Sequence, residues 1–154
     1  MTWNRKLQKA RQSLDRKLAT LQPAHAHQPP PRGWIRALRD ALGLSAAQLG
    51  GVLGVRSQSI DDLEKSEVSG GISLAALQRV AKAMDCTLVY ALVPNQSLES
   101  LVQRRAEAKA RAALAGVSHS MALEDQLVTD DLEQQIADYI EDHLSERDLW
   151  SSPP

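Results

Sequence analysis

Ser57 and Gln58, followed one helical turn later by Asp62, place a hydroxyl, an amide and a carboxylate at the start of one candidate helix. A glutamine amide carries a donor beside an acceptor, the pattern that meets the N6/N7 edge of adenine; a carboxylate accepts from the N4 amino group of cytosine. Arg56, Ser59 and Lys65 on the same segment supply further contacts to phosphate or base, with Arg56 suited to either phosphate or guanine. Ser45 and Gln48, opening the helix before it, are placed to meet phosphates through amides and side chains. Asp62 has a second reading as part of a solvated acidic face, since beside Asp61 it also repels phosphate.

These residues need a frame that holds one helix clear of the body. The frame is legible in the apolar register of residues 34–85. Trp34–Leu42 carries Ile35, Leu38 and Leu42 on one face and stops at Gly43. Ser45-Ala-Ala-Gln48 is a capping box, opening a helix that runs to Leu53. Gly54 follows as a turn residue tolerant of positive φ. A third helix spans about Arg56 to Lys65, and Ser73 caps a fourth through Met84. Leu49, Leu53, Val55, Ile60 and Leu63 form a wedge between two steeply crossed helices, leaving the start of the second free to enter a major groove about 12 Å wide. An ordinary αα-hairpin would not need this turn and this register together.

The segment resembles the Cro/repressor (XRE) helix-turn-helix family over roughly residues 34–85. It departs from the usual pattern at Gly50, where Ala is common; with Gly51 this puts two glycines in one helix, each costing about 1 kcal/mol in propensity. It departs again at Arg56, where a Ser or Thr N-cap is usual and Ser57 can take that role. In the family's register Arg39 and Glu64 fall where an arginine of the first helix faces a glutamate of the third, implying a partly buried ion pair; two solvated charges is the alternative.

A closer resemblance, to the "mobile mystery protein A" family, rests on Gly70-Gly71-Ile72-Ser73-Leu74, on Ala81–Met84 with Asp85–Pro94, and on His119-Ser-Met-Ala-Leu-Glu-Asp-Gln126. It covers about residues 30–127. It implies a transcriptional regulator of a mobile element, encoded beside a Fic-domain partner, with the antitoxin-like half of a toxin–antitoxin pair as a further role the resemblance suggests. Fic inhibitors typically carry a Glu followed by Gly or Asn in a Ser/Thr-x-x-x-Glu motif; no glutamate here is so followed. The direct-inhibition route therefore lacks its motif.

Outside that segment the chain is organised by charge. Its 154 residues sum to −1, but residues 1–39 hold nine basic side chains against Asp15, a net of +8. Residues 40–118 balance, and residues 119–154 hold ten acids against Arg147, a net of −9. A basic end that seeks nucleic acid and an acidic tail are expected. Residues 2–21 read as a basic amphipathic helix with Trp3, Leu7, Ala10, Leu14, Leu18 and Leu21 on its apolar face. The Gln22–Gly33 stretch, with three consecutive prolines, stops it.

Cys86–Pro94 reads as a strand, with Leu88, Val89, Tyr90, Ala91 and Leu92 at its centre. A lone strand has no partner in an otherwise helical chain, so pairing with the same strand of a second subunit is the economical solution. Ser97–Leu114 resumes as a helix, and Asp130-x-x-Glu133 caps a last acidic helix to about residue 146.

The expected fold is mostly α: a Cro/repressor-like bundle with one β-strand for dimer pairing and flanking N- and C-terminal helices. The expected divisions are 1–33, a basic helix and linker; 34–94, the DNA-binding domain with its strand; and 95–154, a helical region with the acidic tail. The reading is a homodimeric, cytoplasmic regulator of double-stranded DNA that represses its own promoter. The rival is a protein-binding antitoxin acting through its acidic segment. No catalytic group, cofactor, metal site or membrane segment is expected. His25-x-His27 sits in a Pro-rich linker without further ligands. His119 and Glu124 lack partners at catalytic spacing, and their segment is a partner contact or a helix-packing element. Cys86, the one cysteine, reads as a small buried residue.

Overall fold

The computed structural model describes residues 3–121 and 129–151, with side chains described through Gly116 and again from Asp131. Among the described residues there are seven α-helices. They are α1 (Arg5–Ala19), α2 (Trp34–Ala41), α3 (Ala46–Leu53), α4 (Ser57–Ser69), α5 (Leu74–Ala83), α6 (Leu98–Met121) and α7 (Thr129–His143). Short 3-10 turns cover Ala24–His27 and Asp148–Trp150. The chain divides into two compact units, one of residues 25–92 and one that joins residues 1–24 to residues 93–154.

The unit of residues 25–92 holds α2 to α5. Its core is aliphatic: Ile35, Leu49, Ile60, Val80 and Met84 are buried, with Leu38, Leu53, Leu63 and Leu77 packed against them. Leu49 and Ile60 are fully enclosed, which is where the side chains of α3 and α4 meet. Each helix stop has a local cause. Gly54 (φ 71°) and Gly70 (φ 83°) end α3 and α4 in the left-handed conformation that a Cβ disfavours. Helix α4 thus runs one turn past the expected Lys65, to the first residue able to terminate it.

The unit formed by the two chain ends packs α1 and α7 on α6. Val102, Ala106 and Ala110 line α6 at four-residue spacing and meet Ile136, Ile140 and Leu149. The segment expected to be a tail therefore contributes core residues, Leu149 among them fully buried. Arg105 Nε donates to the carbonyl of Leu149 at 2.7 Å, and Lys109 Nζ donates to that of Asp148.

Several expectations need correction. Helix α1 begins at Arg5, with Asn4 accepting from the Lys6 N–H at 2.9 Å. Its inward side is only in part the predicted apolar stripe: Trp3, Leu18 and Leu21 are half-buried as expected, but Leu7 and Leu14 stay 44% and 47% exposed, while Arg11 and Asp15 turn in. The reason is polar. Arg11 reaches Glu99 and Glu146 at 2.8 and 2.9 Å, and Asp15 accepts the Leu98 and Glu99 N–H groups at 2.8 and 3.5 Å. These contacts cap α6 and outweigh burial of two leucines. Helix α6 runs on to Met121, because Gly116 alone does not stop it. Asp130 lies inside α7 rather than capping it.

No β-strand is present among the described residues. Residues 86–94 follow no regular hydrogen-bonded pattern, since a ladder requires a second strand and a single chain offers none. Leu88 is half-buried, and Val89, Tyr90, Ala91 and Leu92 are exposed.

Candidate nucleic-acid interface

The interface is built on α3, its turn and α4. Ser45 Oγ accepts the Gln48 N–H at 3.1 Å, and Gln48 Oε1 accepts the Ser45 N–H at 2.8 Å. This reciprocal cap starts α3 cleanly and leaves the Gln48 Nε2 donors and the Ser45 hydroxyl hydrogen pointing to solvent chemistry. The turn after α3 is tight for an identifiable reason. The Val55 N–H donates to the Gly50 carbonyl at 2.8 Å, and a Cβ on Gly50 would lie 2.6 Å from the Val55 carbonyl oxygen. The glycine that looked like a helix defect is what lets the chain turn this close. Gly51, by contrast, has open space around it.

Helix α4 starts differently from α3. Arg56 is its N-cap residue and makes no side-chain cap, while Ser57 is the first helical residue rather than the cap. The first-turn N–H groups therefore lack a side-chain acceptor, and such donors, with the positive end of the helix dipole, suit an anion. Arg56, Ser57, Gln58, Asp62 and Lys65 are exposed, and Ser59 is half-buried. Gln58 Nε2 donates to Asp62 Oδ1 at 3.2 Å. A carboxylate only accepts, so Asp62 fixes which end of the Gln58 amide faces it. Gln58 Oε1 and the second N–H remain for another partner.

The orientation of α4 is held from beneath. Arg39 Nε and Nη2 lie 2.7 and 3.3 Å from the two carboxylate oxygens of Glu64, a two-point pair whose members are only 6% and 8% exposed. Arg39 Nη1 also donates to the Leu44 carbonyl at 3.0 Å, tying the pair to the loop before α3. Arg36 adds a longer contact to Glu64 at 3.7 Å and pairs with Asp40 at 2.8 Å. That Arg36 hydrogen bond holds the Asp40 carboxyl below its ordinary range.

One structural residue was missed from the sequence. Gly33 precedes α2 and offers no side-chain cap, and Glu67 of α4 supplies one from across the unit. Its carboxylate accepts the Trp34 and Ile35 N–H groups at 2.7 and 3.0 Å. The available signal was the absence of Ser, Thr, Asp or Asn before a strongly patterned helix, which demands an acceptor from elsewhere. Among the described residues no group of three or more His, Cys, Asp or Glu could hold a metal ion, and His25 and His27 are exposed. No helix among them is long and apolar enough to cross a membrane. His119, Glu124 and the rest of the His119–Gln126 segment lie outside the described side chains.

No curated protein and no solved structure matches the chain. Residues 35–90, which contain every residue of the α3–α4 site and the Arg39–Glu64 pair, match the family model described as helix-turn-helix.

Proposed function

We propose that the chain is a sequence-specific, DNA-binding transcriptional regulator that acts as a homodimer on an inverted repeat and represses its own promoter. The observation that carries this reading is the start of α4: exposed, without a side-chain cap, and seated on the enclosed Leu49–Ile60 contact and the buried Arg39–Glu64 pair. Gln58 reads adenine bidentately, with Asp62 orienting its amide rather than addressing cytosine itself. Arg56 and the first-turn N–H groups of α4 meet phosphate, as do Ser45 and Gln48 at the start of α3.

Dimerisation is supported by the exposed run Val89–Leu92, where Val89 and Leu92 are 80% and 89% exposed. Pairing two copies of this run satisfies the backbone groups that one chain leaves open. The half-sites then lie about one helical turn, roughly 34 Å, apart.

Binding of wild-type and Gln58→Ala chains to a duplex from this gene's own promoter and to a scrambled duplex tests the reading. Gln58→Ala is expected to erase most of the preference for the promoter, about 1–3 kcal/mol, while affinity for scrambled DNA is retained. Asp62→Ala is expected to weaken the preference and raise affinity for scrambled DNA, because it frees the amide and removes a negative charge beside the phosphates. Equal loss on both duplexes for Gln58→Ala would overturn its role as a base reader.

The antitoxin reading draws support from the exposed acids Asp131, Glu133, Asp138 and Asp142 of α7, of which Asp131, Asp138 and Asp142 share one helix face, an acidic surface suited to a basic partner such as a Fic-domain protein. Deleting residues 119–154 would remove Ile136, Ile140 and Leu149 from the core. Neutralising the four surface acids and testing co-purification of the neighbouring gene product is the sound experiment.

A further inference from the structure

The charge on α1 is sorted by the way the helix is held. Of its six basic residues only Arg11 turns inward, where it pairs with Glu99 and Glu146 and lies 5.5 Å from the centre of the Trp3 ring. Its single acid, Asp15, also turns inward, to cap α6. The other five bases are exposed and have no ion pair among the described residues. At 3.6 residues per turn, all five fall within an arc of about 120° opposite the side formed by Arg11, Asp15 and Leu18. From Arg5 to Lys17 this face is about 18 Å long.

Five cations with no intervening acid over that length suit a polyanion whose strands each carry a charge every ~3.4 Å. Helix α4 cannot supply that attraction, because it holds Asp61, Asp62, Glu64 and Glu67 against one lysine. An anionic lipid surface fits less well. Membrane helices bury an apolar stripe flanked by bases, whereas Leu7 and Leu14 sit at the margin of the side already packed on α6.

We propose that the outward face of α1, formed by Arg5, Lys6, Lys9, Arg16 and Lys17, binds the phosphodiester backbone of double-stranded DNA without regard to sequence. The inference rests on the reading of the chain as a DNA binder, and it assigns the nonspecific part of the affinity to a helix outside the helix-turn-helix.

The test compares the full-length wild type with Arg5→Gln/Lys9→Gln/Arg16→Gln, by fluorescence anisotropy on promoter and scrambled duplexes over a salt series. The variant's plot of log affinity against log salt is expected to be shallower by about 2.7 on both duplexes. Its loss of affinity between about 50 and about 200 mM salt is then about 40-fold smaller than the wild type's. Its urea midpoint stays unchanged, because the three side chains make no contact that folding uses. An unchanged slope overturns the proposal. It is also overturned if the variant loses only binding to phosphatidylserine vesicles, or only self-association, with its DNA slope intact. A wild type that shows no promoter preference, together with a slope that falls in the variant, sinks base reading by α4 and leaves the α1 site standing. Intact preference with an unmoved slope does the reverse. A wild type that binds neither duplex overturns both.

Discussion

The carboxylate of Glu67 accepts the backbone N–H of Trp34 at 2.7 Å and so closes a helix from thirty-three positions along the chain. Helix α2 starts from Gly33, whose φ of 86° and closeness to Glu67 leave no room for a side-chain cap of its own. Glu67→Ala is expected to cost about 1–2 kcal/mol, the range for losing a helix cap, and Glu67→Gln to recover part of it. Gly33→Ala combines a left-handed backbone with a Cβ 2.7 Å from Glu67 Oε2, and is expected to cost at least as much. Urea unfolding checks both; a neutral Glu67→Ala would show that water caps α2 equally well.

Arg39 and Glu64 are coupled unequally. Removing either leaves a buried charge, at a cost of about 3–5 kcal/mol. Arg36, 3.7 Å from Glu64, can move in when Arg39 is lost, whereas loss of Glu64 leaves Arg39 with the Leu44 carbonyl and a 3.8 Å contact to Asp40, an exposed carboxylate already paired with Arg36. Glu64→Ala is therefore expected to destabilise more than Arg39→Ala, and the double variant less than the two together. Additive effects in urea unfolding would contradict a working pair.

The adjacent glycines of α3 should respond in opposite directions. Gly51→Ala meets no neighbour and is expected to stabilise by about 0.5–1 kcal/mol, because alanine narrows the unfolded ensemble. Gly50→Ala pushes a methyl against the Val55 carbonyl and is expected to cost about 1–3 kcal/mol. Because relief requires the turn to move, Gly50→Ala should also weaken promoter binding beyond what its stability loss explains. Thermal melts and anisotropy on the two variants give the comparison.

The proposed pairing through residues 88–92 would depend on main-chain donors rather than on side-chain fit. Tyr90→Pro removes one donor at the centre of the run and is expected to yield a monomer in sedimentation at about micromolar concentration, with α2 to α5 still folded by circular dichroism. A wild type that is itself monomeric under those conditions would remove the dimer from the proposed function.

Signals carried by neighbouring residues were legible in the chain itself. The Ser45–Gln48 capping box is complete within four positions, and the apolar register of Leu49, Leu53, Ile60 and Leu63 leaves few ways for two short helices to pack; Val55, expected in the same wedge, is instead 42% exposed because it lies in the tight turn, its N–H tied to Gly50. The exposed start of α4 follows from that register, as does the place of Gln58 on it. Apart from the Arg39–Glu64 pair, which the family resemblance implied, contacts across long separations in the chain were decided by the tertiary structure. Charge counts of +8 and −9 made contact between the two ends one of several options, but did not reveal that both ends enter one unit, nor that Arg11 alone of its helix pairs with Glu146. The apolar periodicity of α1 turned Trp3, Leu18 and Leu21 inward but not Leu7 and Leu14, because polar anchors on α6 and the segment after α7 outweighed those two. Glu67 was invisible for the same reason. A helix N-terminus requires an acceptor, but elementary sequence rules see only acceptors that precede it, and here the acceptor arrives from a different helix.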